Sequence, residues 1–111
     1  MIILGIDPGT ATSGYGLIEV NKNGLEVIKW GLIETHKDGL KENRLQKIYK
    51  EVTELLEKYK PDVFVLEKIF FFNNAKTVIA VSQAQGVMLL AASKAKTFVA
   101  EYAPGTIKKL I

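Results

Sequence analysis

Apolar and polar positions along the 111 residues fall into two periods, and the switch between them divides the chain. A short apolar run, Met1-Ile2-Ile3-Leu4-Gly5-Ile6, ends on Asp7 and turns at once through Pro8 and Gly9. This predicts a first strand over residues 2 to 7, followed by strands over 14 to 20 and 25 to 35. Asn23-Gly24 between the last two is a strong hairpin signal, so these three strands should be antiparallel neighbours. Leu45, Ile48, Val52, Leu55, Leu56 and Tyr59 then recur at helical spacing from about residue 40 to 59, with Lys and Glu on the other face. Pro61 stops that helix. Val63-Phe64-Val65-Leu66 is continuously apolar, as expected of a strand buried on both faces. A second helix over about 74 to 95 and a fifth strand over 97 to 101 complete an α/β order of three strands, helix, strand, helix, strand.

Acids sit at the ends of two of these strands. Asp7 closes the first and Glu67 the fourth. If those strands lie side by side and parallel, both carboxylates emerge at the carboxyl edge, where open α/β sheets usually place their sites. They could then share one Mg²⁺, a hard cation that takes oxygen ligands and keeps waters and substrate phosphates in its shell. Gly9, Thr10, Ala11, Thr12, Ser13 and Gly14 follow Asp7. Their small size would let a phosphate backbone come close.

The helix over 74 to 95 differs from the first. Val78, Ile79, Val81, Ala84, Val87, Met88, Leu89, Leu90 and Ala91 leave little polar face, which calls for burial on more than one side. One side can cover the sheet, and a second copy of the chain, docking around Val78 to Ala91 across a two-fold axis, is the economical cover for the other. A further carboxyl-terminal segment is the alternative. Phe70-Phe71-Phe72 directly follows the Glu67 region, and at least one of these rings is expected beside the metal site, placed to stack on an unpaired base. Lys76, Lys108 and Lys109 are candidate phosphate contacts. His36 reads as a surface residue, and Tyr15 and Trp30, within strands, as packing residues.

Composition narrows the classes. A 48% apolar content suffices for one compact domain over residues 1 to 111. No cysteine is present, so no disulfide framework exists. The longest apolar stretch, near Gly86 to Ala92, is far below the roughly 20 residues that cross a bilayer, so a soluble cytoplasmic protein with no membrane partner is expected. Net charge is +3, and Arg44 is the one arginine among fifteen basic residues, a balance that permits a polyanion partner.

Gly5-Ile6-Asp7-Pro8-Gly9-Thr10, Gly14-Tyr15-Gly16, Leu66-Glu67-Lys68-Ile69-Phe70 and Asn73-Asn74-Ala75 together resemble the RuvC-type Holliday junction resolvases. The likeness runs from Met1 to Lys108, with its blocks in the same order. It implies a ribonuclease H-like mixed sheet. It also implies a Mg²⁺-dependent endonuclease that cuts four-way DNA junctions in recombination and repair, works as a homodimer and partners branch-migration proteins. On this resemblance Asp7 and Glu67 are catalytic metal ligands, Phe70 meets bases at the junction and Lys108 contacts DNA. Family members carry two further acids on a final helix, whereas the acid following Glu67 here is Glu101. A two-metal mechanism needs more carboxylates than two. The sequence is therefore expected to be carboxyl-terminally incomplete and, by itself, to be inactive. A catalytically silent nucleic-acid-binding or dimerisation module is the alternative reading.

Overall fold

The structure, a computed structural model, describes residues 1–36, 38–67 and 75–102. Five strands form one sheet: β1 (Ile2–Asp7), β2 (Thr12–Asn21), β3 (Gly24–Glu34), β4 (Val63–Glu67) and β5 (Phe98–Tyr102). Two helices, α1 (Lys41–Tyr59) and α2 (Ala75–Lys94), connect β3 to β4 and β4 to β5. The strand order is β3-β2-β1-β4-β5. β1, β2 and β3 pair antiparallel, while β4 lies parallel to both β1 and β5. This is the ribonuclease H-like mixed sheet, and the order of elements matches the one read from periodicity.

Alternation along β1 separates two faces. Leu4 and Ile6 are fully buried on the helix side, where they meet Leu17, Ile33, Phe64 and Leu66 from the sheet. Ile48, Val52, Leu55 and Leu56 from α1, with Ala84, Met88, Ala91 and Ala92 from α2, close that core. Fully burying each of the larger side chains stabilises the fold by about 1.5 to 3 kcal/mol, so this one interface fixes the register of the central strands. α1 ends where Lys60 takes a left-handed conformation, φ 45°, and its N–H donates to the Leu56 carbonyl at 3.0 Å. Pro61 follows it, and Asp62 then docks the chain onto β1. The Asp62 N–H donates to the Ile2 carbonyl and its Oδ2 accepts from the Ile2 N–H, both at 2.8 Å.

Three local details differ from the expectation. The β2–β3 turn is centred on Lys22 and Asn23, one residue earlier than Asn23-Gly24, because Asn21 pairs with Gly24. Gly24 supplies the turn's positive φ of 117°, and Asn21 Oδ1 accepts the Asn23 N–H at 2.8 Å. A register shift opposite Leu17 and Ile18 places Val27 on the same face as Trp30, which simple alternation would not do. Trp30 is also not the packing residue that its strand position suggested. It is 75% exposed, since it stands opposite Gly16 on the face away from the helices. Tyr15 does pack against the core, as do Tyr49 and Tyr59. His36 is exposed, as expected.

α2 buries one side, through Val78, Ala84, Met88, Ala91 and Ala92. Its other side is less uniformly apolar than the sequence suggested, because Ser82, Gln83 and Gly86 lie exposed between Ile79 and Leu90. Among the described residues no helix is long and apolar enough to cross a membrane.

Candidate metal and DNA site

Parallel pairing of β1 with β4 ends at Ile6 opposite Leu66, so Asp7 and Glu67 are the next residue on each strand. Neighbouring strands lie about 4.8 Å apart, and residues in register project to the same face. Asp7 pairs on its other side with Gly14, and Glu67 with Tyr102. One row across the sheet thus reads Leu32, Gly14, Asp7, Glu67, Tyr102. It lies on the face opposite the helical core. Gly14 contributes no side chain beside Asp7, which leaves room for a phosphate on that flank. Asp7 is exposed and Glu67 half-buried. Asp7 and Glu67 are thus successive to the last paired residues of adjacent parallel strands.

The loop after Asp7 is held by groups that the sequence did not single out. Ser13, only 2% exposed, accepts the Gly9 N–H through its Oγ at 3.3 Å. The Ala11 carbonyl accepts from both the N–H and the hydroxyl of Thr35, at 2.9 and 3.1 Å. Arg44 Nε donates to the Thr10 carbonyl at 2.8 Å, and its second terminal nitrogen donates to the Ala80 carbonyl of α2 at 3.0 Å. Burial lowers the pKa of that guanidinium from its ordinary value, and it stays protonated near neutrality. At the other acid, Gln85 Nε2 of α2 donates to the Glu67 carbonyl at 2.9 Å. The legible signal for Arg44 was its being the one arginine, at the start of α1. Nothing in the pattern of α2 marked Gln85.

Lys76, exposed in the first turn of α2, lines a cavity of about 440 Å³ together with Thr10, Ala11, Lys41 and Arg44. The cavity adjoins the loop that follows Asp7, and its charged lining is three cations with Asp38. Phe70, Lys108 and Lys109 lie outside the described residues. Glu101 stands opposite Leu66, one residue short of the acid row, so its side chain leaves the sheet on the other face. It is not a third member of the pair. Among the described residues no group of three or more His, Cys, Asp or Glu could hold a metal ion. Two carboxylates on adjacent strand ends nevertheless fit a hard divalent cation whose remaining ligands are waters and phosphate oxygens.

Comparisons with known proteins agree with this arrangement. The sequence profile of the family described as crossover junction endodeoxyribonuclease RuvC matches residues 3–111. A protein of that name from Syntrophomonas wolfei is 46% identical over 111 residues, covering 100% of this chain and 64% of its own length. Another, from Fusobacterium nucleatum, is 44% identical over 108 residues, covering 97% of this chain and 57% of its own. This chain thus spans about three fifths of the length of these curated relatives. Among solved structures, Thermus thermophilus RuvC in complex with a Holliday junction substrate superimposes with a TM-score of 0.88 at 27% identity. That match covers 98% of this chain and 68% of the solved one. With a sheet, an acid pair and a profile match that all coincide over nearly its whole length, the chain belongs to the RuvC family of crossover junction endodeoxyribonucleases.

Proposed function

We propose that this protein is a Mg²⁺-dependent endonuclease that hydrolyses phosphodiesters in four-way DNA junctions. The observation that carries the reading is the in-register placement of Asp7 and Glu67 at the carboxyl edge of β1 and β4, in a chain of this family. Relatives at 44 to 46% identity bear the name of the junction endonuclease, and the T. thermophilus relative is described in complex with a Holliday junction.

Asp7 and Glu67 would hold the cation through their carboxylate oxygens. When bound, Mg²⁺ would polarise the scissile phosphate as a Lewis acid and make a coordinated water easier to deprotonate for attack. The chain's own groups do the rest. Gly14 leaves the approach to Asp7 open. Lys76 attracts the phosphate backbone, with Lys108 and Lys109 as further contacts in a salt-dependent interaction. Phe70 would stack on a base unpaired at the junction. Two copies joining through the Ile79–Leu90 face of α2 would suit a substrate with two-fold symmetry. A cytoplasmic site of action and contact with branch-migration proteins complete the reading.

Because two carboxylates are few for two ions, the 111-residue chain is expected to bind junctions far better than it cuts them. Gel-shift titration with a four-way junction and with duplex DNA of the same sequence, in Ca²⁺ to suppress cleavage, tests the binding half. Junction preference that falls steeply with salt is expected; equal affinity for duplex and junction overturns the substrate assignment. Mn²⁺ titration tests the site, with Asp7→Asn and Glu67→Gln expected to abolish metal binding while sparing DNA binding. Mn²⁺ affinity unaltered in both variants refutes the metal assignment.

A further inference from the structure

The backbone of Glu67 and the loop three residues beyond Asp7 are both fastened to α2. Gln85, on the third turn of α2, donates to the Glu67 carbonyl at 2.9 Å. Arg44 bridges α1, the loop after Asp7 and α2, with 2.8 Å to the Thr10 carbonyl and 3.0 Å to the Ala80 carbonyl. Ala80 and Gln85 lie little more than one helical turn apart on the same helix. From them, one hydrogen bond leads directly to the β4 acid and a two-bond bridge leads to the β1 acid. α2 itself is pinned to the sheet by Ala84 and Met88, both fully buried. Beyond the register that pairs β1 with β4, a buried helix therefore braces the Glu67 strand end and the loop that leaves Asp7.

A bridge of this kind needs a guanidinium. Arg44 donates from two nitrogens in a fixed planar fork, toward two carbonyls that belong to different elements, and a lysine ammonium offers no such spread of donors. The Ala80 carbonyl lies within α2, so its bond to Arg44 is extra to the helix's own pattern and serves the tie alone. Metal ligands are commonly held by outer partners, and losing one costs about 10- to 100-fold in metal affinity.

We propose that Arg44 and Gln85 are positioning residues that hold the Asp7 and Glu67 strand ends at cation-sharing separation by tying both to α2. This rests on the reading of Asp7 and Glu67 as a metal site. Neither residue touches the ion; Gln85 acts through the backbone of Glu67 and Arg44 through the loop that follows Asp7. The pair also makes the site responsive to α2, so whatever shifts that helix against the sheet shifts the carboxylates with it.

The test is Mn²⁺ affinity of the 111-residue chain, read from the electron paramagnetic resonance signal of free Mn²⁺, alongside Tm. Gln85→Met keeps the side chain's length and removes its donor; Arg44→Lys keeps the charge and removes the fork. Each is expected to weaken Mn²⁺ binding by about tenfold with the far-ultraviolet circular dichroism unchanged. Val52→Ala, a core truncation away from the strand ends, is expected to lower Tm while leaving Mn²⁺ affinity within twofold. That contrast separates positioning from general stability. Mn²⁺ affinity within twofold of the parent in both Gln85→Met and Arg44→Lys, while Asp7→Asn abolishes it, overturns the positioning role and leaves the metal site standing. Mn²⁺ binding that survives Asp7→Asn and Glu67→Gln overturns the metal site and this inference with it.

Discussion

Replacing Gly9 with alanine adds one methyl group two residues beyond Asp7, where the structure has no space for it. An ideal Cβ there would lie 2.1 Å from the Thr12 carbonyl oxygen, where ordinary contact begins at 3.4 Å, a shortfall of about 1.3 Å. The obstacle is backbone, so no side-chain rotation relieves it. Gly9 does not take a positive φ, and the conflict is therefore one of volume. Relief requires the loop to move away from Thr12, which breaks or lengthens the bond from the Gly9 N–H to Ser13 Oγ. Inserting a methylene-sized group into a tight site costs about 1 to 3 kcal/mol. At about 4 to 8 °C per kcal/mol for a domain near this size, Gly9→Ala should lower Tm by roughly 4 to 24 °C. The displaced loop begins at the residue after Asp7, and misplacements of about 1 Å can cost 100-fold in a positioned reaction. Mn²⁺ affinity should accordingly fall by an order of magnitude or more. Thermal unfolding by circular dichroism and Mn²⁺ titration on the same sample are the assays. A Tm within about 1 °C of the parent, together with unaltered Mn²⁺ affinity, would show that the loop absorbs the methyl group and that its closeness to Thr12 is irrelevant to Asp7.

Ser13→Ala leaves the Gly9 N–H without its acceptor and should cost about 1 to 3 kcal/mol, measured by urea unfolding; a loss below about 0.3 kcal/mol would mean that water replaces the hydroxyl at no cost. Leu90→Glu and Ile79→Glu place charges on the two exposed apolar ends of the α2 stripe, now 54% and 56% exposed, and should convert any dimer to monomer in sedimentation without lowering Tm. A dimer that persists in the double variant would locate self-association elsewhere. Lys76→Ala should weaken junction binding at low salt and reduce the slope of log K against log salt by about 0.9, and an unchanged slope would remove Lys76 from the phosphate contacts. Met88→Ala, at a fully buried position between α2 and the sheet, should destabilise by about 2 to 5 kcal/mol; a loss under 1 kcal/mol would mean that this part of the core is loosely packed.

Much of this could be read before any coordinates because the informative residues are short-range signals. Ile2 to Asp7 and Val63 to Glu67 are apolar runs that end on an acid, so both the strands and their useful ends are visible in sequence. Parallel pairing between them follows from the helix that intervenes. Trp30 was misread because its environment depends on Gly16 across the hairpin and on a register shift two residues further along that strand. Periodicity within one strand contains neither. Arg44 and Gln85 escaped for a related reason. Their partners are carbonyls 34, 36 and 18 residues away in the chain, and a backbone carbonyl has no residue identity to recognise. The α2 stripe looked more apolar than it is because Ser82 and Gly86 are small enough to pass within an otherwise aliphatic helix.

The shared register of β1 and β4 makes the acid pair resistant to drift. Sliding β4 by one residue would turn Phe64 and Leu66 outward and Val65 and Glu67 onto the helices, burying a carboxylate against Ala84 and Met88. Sliding it by two would keep the apolar side chains inward but set Val65 or Ile69 beside Asp7 instead of Glu67. The first error is opposed by the core, and the second leaves Leu66 or Phe64 without its present neighbour on β1. A single alignment therefore satisfies packing and chemistry together. On the metal-site reading, substitutions at Phe64 or Leu66, side chains on the far face of the sheet from the carboxylates, are expected to weaken metal binding if they let this register slip, although neither touches the acids.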